Sequence, residues 1–109
     1  MQQRIDEKHE CDVAGCPAGG ETMGTGINIR WQDGPLGRGP DRRAPSGAFV
    51  EGVIAAALGR ILFYEKAAGG RFSCRENSFA IMKLEEALHW LNARTVRREA
   101  HDVEGTYAA

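Results

Sequence analysis

The sequence predicts a small α+β protein: an N-terminal β-hairpin followed by an antiparallel two-helix hairpin, completed by homo-oligomerisation. Three observations predict it. Residues 27–32 alternate apolar and polar side chains, and two later stretches repeat apolar side chains every three or four positions. The chain has 109 residues, of which 14 are Gly and 4 are Pro, so one copy has little apolar surface with which to build a core.

The elements follow in order. Residues 1–26 carry Pro17, Gly19, Gly20, Gly24 and Gly26 with no apolar period, which predicts a flexible N-terminal tail and leaves 27–109 as a single domain. Ile27-Asn28-Ile29-Arg30-Trp31-Gln32 predicts a half-buried strand with Ile27, Ile29 and Trp31 on one face and Asn28, Arg30 and Gln32 on the other. Asp33-Gly34 is a turn signal, and Pro35 limits the return strand to a short edge segment around Leu36. A two-stranded hairpin is marginal alone and needs a further surface to pack on. From Gly37 to Ser46 the chain is rich in Gly, Pro and Arg, a loop that exposes Arg38, Arg42 and Arg43.

A helix is expected over about 47–66, capped by Ser46 and ended by Gly69-Gly70, with Val50, Val53, Ile54, Ala57, Leu58, Ile61 and Leu62 along its apolar side. A second is expected over about 74–100. Ser73-Cys74-Arg75-Glu76 fits a capping box with Ser73 as cap, and Ile81, Leu84, Leu88, Leu91 and Thr95 form a three-four stripe. The short link predicts an antiparallel pair, and the same stripe could equally be a seam between two copies.

Composition excludes several classes of function. The length rules out multidomain and barrel enzymes, and no apolar run nears the roughly 20 residues of a membrane span. The polar start, MQQRIDEKHE, is unlike a signal peptide, which predicts a cytoplasmic protein. A formal charge of −1 argues against binding along duplex nucleic acid. Of the 14 basic residues 11 are Arg, the side chain that grips phosphate bidentately and stacks on rings; a GC-rich coding bias accounts for the same excess.

No catalytic, cofactor or metal constellation stands out. His9, Cys11 and Cys16 lack a second ligand pair at zinc spacing, which predicts reduced, exposed thiols. Glu85, Glu86 and His89 lie at helical spacing and read as an ordinary solvated face. The segment Gly69-Gly70-Arg71-Phe72-Ser73-Cys74-Arg75-Glu76-Asn77 says more. It sets a helix N-terminus beside Arg71 and Arg75, with Phe72, Tyr64 or Phe63 to stack a base and Asn77 to read an adenine edge. The same residues also describe a well-capped helix whose turn is closed by Phe72. Asn77 and Arg94, 17 positions apart, are read as nearly sharing a face about 25 Å apart along the helix axis. A small ligand touching both would have to lie between two antiparallel copies.

These residues resemble a known family. The strand Ile27 to Pro35, the block Cys74-Arg75-Glu76-Asn77, the run Lys83 to Leu91 with Ala93-Arg94-Thr95, and Val103-Glu104-Gly105-Thr106 are similar to phage-encoded Thoeris anti-defence proteins. These are cyclic-nucleotide sponges that share a helical hairpin with the anti-CBASS sponges. The resemblance covers most of residues 27–106. It implies a non-enzymatic protein that holds a glycocyclic ADP-ribose intact in the cytoplasm of the infected bacterial host, so that the defence effector is not activated. It also implies a homodimer or a trimer of dimers, and cyclic oligonucleotides at a second site in some members. The implied ligand contacts are Arg30, an aromatic at the end of the first helix (Phe63 or Tyr64), Asn77 and Arg94, beside the Phe72 and Arg75 read from the turn. Extra residues, Lys66 to Gly70, leave the stacking ring open, and the Cys-containing N-terminus has no counterpart in the pattern.

Two rival readings belong to other classes. One is a helical-hairpin interaction protein that binds a protein or single-stranded nucleic acid through Arg38, Arg42, Arg43, Arg97 and Arg98, with affinity falling steeply as salt rises. The other is a small enzyme using Glu85, Glu86 or His89, which turnover would expose.

Overall fold

The computed structural model describes residues 4–101 and 105–107. It is α+β: an antiparallel sheet of three strands, β1 (Ile5–Cys11), β2 (Pro17–Gly24) and β3 (Ile27–Arg30) in that spatial order, then helices α1 (Val50–Gly70) and α2 (Arg75–Ala100). The chain forms two compact units, one from the residues up to Phe49 with those from Arg98 onward, the other from Val50–Arg97.

The expected flexible tail is mostly strand. Neither β1 nor β2 has an apolar alternation, and β1 is exposed along its whole length. Backbone bonds and turn chemistry hold them instead. Asp12 Oδ1 accepts from the amides of Ala14 (2.9 Å) and Cys16 (3.0 Å), and Asp12 N donates to Cys16 O (2.9 Å), which reverses the chain. The β1–β2 ladder shifts register between His9 and Cys11, and there Gly20, at φ +125°, passes so close to Lys8 that a Cβ would lie 2.2 Å from its carbonyl oxygen.

The strand expected over 27–32 is present as β3, with Ile27 and Ile29 half-buried and Asn28 and Arg30 exposed. Its hairpin partner lies upstream rather than downstream. Gly24 pairs with Ile27, and the reversal falls at Thr25-Gly26, with Gly26 at φ +74°. Asp33-Gly34 leads into no return strand. Leu36 is instead the buried apolar residue among the described residues of this unit, at 8% exposure, and Arg43 ties down the loop by donating to Asp33 O (3.0 Å) and Pro35 O (2.5 Å). Thr22, 5% exposed, accepts from Trp31 Nε1 at 2.8 Å.

Past β3 the chain is fastened by a side chain that sequence periodicity assigns to the outer face. Gln32 Oε1 accepts from the amides of Ser46 (2.8 Å) and Gly47 (3.2 Å), and Gln32 Nε2 donates to Gly34 O (3.2 Å). Ser46 is therefore not the helix cap: its hydroxyl accepts from Asp33 N at 3.3 Å. Ala48 forms a parallel bridge to Trp31, with Ala48 N donating to Arg30 O at 2.7 Å. Gly47 must be glycine here, since a Cβ would lie 2.6 Å from Arg30 O and from two Trp31 backbone atoms. The C-terminal residues join the same unit. Gly37 N donates to Gly105 O (2.9 Å), Tyr107 OH to Pro17 O (2.8 Å), and Arg98, 4% exposed, to Thr106 O (2.7 Å). Val103 and Glu104 of the resemblance lie outside the described residues.

Both helices fall where their periodicity predicts. α1 loses helical geometry at Ala67 (ψ 144°), and Ala68 at φ +50° and Gly69 at φ +68° turn the chain, so the regular helix ends at Lys66 as expected. The half-buried positions of α2 include Ile81, Leu84, Leu88, Leu91 and Thr95, the stripe read from sequence, and also Asn77. No α1 residue is buried, and Arg98 is the buried residue of α2. No helix among the described residues is long and apolar enough to cross a membrane.

Candidate functional site

The turn between the helices gathers most of the residues singled out in sequence. Its first feature corrects an expectation. The α2 N-terminus is capped by Cys74 rather than Ser73, with Cys74 Sγ accepting from Asn77 N at 3.4 Å. The hydroxyl of Ser73 donates instead to Glu65 Oε2 across the turn, and Cys74 N donates to Glu65 Oε1 at 3.4 Å. A carboxylate of the chain itself thus occupies the place where a helix N-terminus would hold a phosphate. An anion at this turn would be left to the arginines.

Arginines stand over the rings. The Arg60 guanidinium carbon lies 4.9 Å from the Phe63 centroid and 5.0 Å from that of Tyr64, with Nε donating to Tyr64 OH at 3.2 Å. Arg71 covers Phe72 at 5.6 Å and Arg75 covers Phe79 at 5.3 Å. Phe63 and Tyr64 are tilted 54° to one another at 6.1 Å. Phe63 and Phe72 are more than half exposed (53% and 56%), so each offers a face to a planar ligand. Asn77 is fixed next to this group, its Nδ2 donating to Phe72 O at 3.4 Å. Phe63, Tyr64, Phe72, Arg75 and Asn77 therefore all lie on the turn or the helix ends flanking it. Arg60 and Phe79 were missed, although their spacing signals them: Arg60 precedes Phe63 and Tyr64 by three and four positions, and Arg75 precedes Phe79 by four.

Arg94 and Arg30 lie elsewhere. Arg94 is exposed on α2 some 25 Å along the axis from Asn77. Seventeen positions fall one residue short of five turns, so the two side chains diverge by about 100° around the helix and do not share a face. Their burial agrees, Asn77 being half-buried and Arg94 exposed. Arg30 belongs to the other unit. It lies directly across from Glu21, which lies across from Lys8, beside an open depression of about 400 Å³ on the sheet.

The arginines of the interaction-protein reading are partly committed to structure, since Arg43 and Arg98 hold backbone carbonyls. Cys11, Cys16 and Cys74 are free thiols. Among the described residues no group of three or more His, Cys, Asp and Glu is placed to hold a metal ion.

A small antiparallel sheet preceding two long helices, whose connecting turn carries exposed aromatic rings beside guanidinium groups, defines a helical-hairpin protein. The family model described as Acb2/Tad1, hairpin domain, matches residues 23–96, and the chain belongs to that family. It is also 40% identical over 79 residues to Thoeris anti-defense 1 of Bacillus phage SBSphiJ7. The match covers 72% of this chain and 51% of the relative, so the chain spans about half the length of that protein.

Proposed function

We propose that this protein is a non-enzymatic anti-defence sponge that binds and sequesters a cyclic ADP-ribose-type immune signalling nucleotide, of the glycocyclic ADP-ribose kind, in the cytoplasm of an infected bacterium. The observation that carries the reading is the turn itself: exposed rings under Arg60, Arg71 and Arg75, with the Asn77 amide fixed at their edge, within a chain of the Acb2/Tad1 hairpin family. Rings stack the base, the amide reads its edge, and arginines neutralise the pyrophosphate. These groups bind a ground state as well as any transition state, which suits holding a ligand without turning it over.

The pocket is completed by a second copy, as a homodimer or a trimer of dimers. α1 is apolar nearly all round, with Glu51, Arg60, Glu65 and Lys66 its charged residues, yet none of its residues is buried in one chain. Such a helix calls for more cover than a single partner helix gives. Phe79, Met82 and Trp90 add an exposed apolar ridge to α2, Trp90 at 64% exposure. In an antiparallel pair of α2 helices, Arg94 of one copy comes level along the axis with Asn77 of the other, whereas within one chain they are about 25 Å apart.

Subunit mixing tests this arrangement. Asn77→Ala and Arg94→Ala chains each lack glycocyclic ADP-ribose binding. Mixed in equal amounts and allowed to exchange, they form half heterodimers, each with one intact pocket, and so recover about a quarter of the wild-type sites in calorimetry. Recovery of none after verified exchange contradicts the shared pocket.

A further inference from the structure

The β1 strand and most of β2 precede the residues matched by the family, yet they build a wall of the depression beside Arg30. Lys8, Glu21 and Arg30 are direct cross-strand neighbours and so project from the same face in one row. With strands about 4.8 Å apart, Lys8 and Arg30 flank a span of about 10 Å, which two long side chains can close over a ligand from both sides. Room for the ligand comes from the middle strand. Ala18, Gly19 and Gly20 line the depression with almost no side chain, and Gly20 cannot be otherwise because of the Lys8 carbonyl. About 400 Å³ falls in the range of small-molecule sites.

The chemistry of the lining selects among ligands. Two cations, Lys8 and Arg30, share it with three carboxylates, Glu10, Glu21 and Asp33, and Lys8 Nζ already reaches Glu10 at 3.5 Å. An excess of carboxylates repels a bare phosphate or polyphosphate. A sugar phosphate carries a comparable charge but adds hydroxyl donors that the carboxylates can accept.

We propose that the β1–β2 hairpin makes this depression a phosphorylated-ribose site, in which Lys8 and Arg30 hold the phosphate and Glu21 and Glu10 accept from the ribose hydroxyls. The inference rests on the nucleotide reading above for the identity of the whole ligand, and it assigns to Lys8 and Glu21 a selectivity that the family-matched segment alone does not supply.

Amide-resolved NMR titration of the full chain tests it, with ribose 5-phosphate, ribose and inorganic phosphate as separate probes. Ribose 5-phosphate should shift the Lys8, Glu21 and Arg30 amides saturably and bind about tenfold more tightly than inorganic phosphate or ribose. Glu21→Gln should weaken ribose 5-phosphate about tenfold without weakening phosphate, and Lys8→Ala should weaken both. Both side chains are exposed, so the folded spectrum should be retained. Equal response to phosphate and ribose 5-phosphate, or shifts confined to other residues, overturns the proposal. Glycocyclic ADP-ribose separates this failure from that of the parent reading. If ribose 5-phosphate does not titrate onto the sheet while glycocyclic ADP-ribose binds wild type, the sheet site is wrong and the sponge stands; if glycocyclic ADP-ribose does not bind wild type while ribose 5-phosphate titrates onto the sheet, the reverse holds.

Discussion

Replacing Gln32 with Ala should free the segment that carries Arg30 and Trp31 from the chain entering α1. The wild-type amide accepts from Ser46 N and Gly47 N and donates to Gly34 O. Ser46 is exposed, and water replaces the lost acceptor at about the net value of one hydrogen bond, ~1 kcal/mol. Gly47 is half-buried with Arg30 and Trp31 backbone pressed against it, so its amide bears more of the desolvation cost, ~1–2 kcal/mol. Together about 2–3 kcal/mol of local stability is lost, equivalent to about a 30- to 150-fold fall in protection. The Gln32→Glu variant keeps the acceptor but sets a carboxylate against Gly34 O, and it should lose only about 1 kcal/mol. Native-state hydrogen exchange at Ala48, whose amide donates to Arg30 O, reads this directly. Protection changed less than about threefold in Gln32→Ala, or equal losses in the Ala and Glu variants, would refute the reasoning.

Three further outcomes follow from the same geometry. Ala68 sits at φ +50°, where a Cβ is disfavoured, so Ala68→Gly should stabilise the helical turn by about 0.5–1 kcal/mol in urea denaturation; a destabilised variant would deny the left-handed turn. Cys74 caps α2 through a weak sulfur acceptor, and Cys74→Ser should add about 0.5–1 kcal/mol by circular dichroism-monitored melting, an unchanged or lowered midpoint contradicting the cap assignment. The Tyr107 phenol is held above its usual value of 10.0 by desolvation first and then by the charges of Asp12, Cys16 and Asp33. Its raised value means that the docked state favours the neutral phenol: the contribution is complete below about pH 10 and is lost as pH rises through the native value. Exchange protection at Gly37, which bonds Gly105, should therefore fall above pH 10 in wild type and show no such step in Tyr107→Phe.

Periodicity made β3 and both helices legible, because Ile27 and Ile29 or Ile81, Leu84, Leu88 and Leu91 cover one side of an element and leave the other wet. β1 and β2 carry no such signal. They are held by main-chain bonds, the Asp12 turn and the glycine at position 20, and only the Asp12-to-Gly15 turn chemistry marks them in sequence. The caps depart from local rules for a related reason. Ser46 and Ser73 fit local rules, but Gln32 and Glu65, 14 and eight residues upstream, compete for the same groups, and no local pattern reveals that. Of the candidate site, the turn residues are legible because they lie close together in the chain. The partnership of Lys8, Glu21 and Arg30 depends on a sheet register that no short-range pattern encodes.

The central claim, binding without chemistry, is tested most directly by calorimetric titration of the purified protein with glycocyclic ADP-ribose, followed by denaturation and mass spectrometry of what is released. Saturable binding that Asn77→Ala abolishes, with the ligand recovered at its original mass and isomeric form, is the expected result. No binding at micromolar protein, or recovery of an opened or hydrolysed nucleotide, would contradict it.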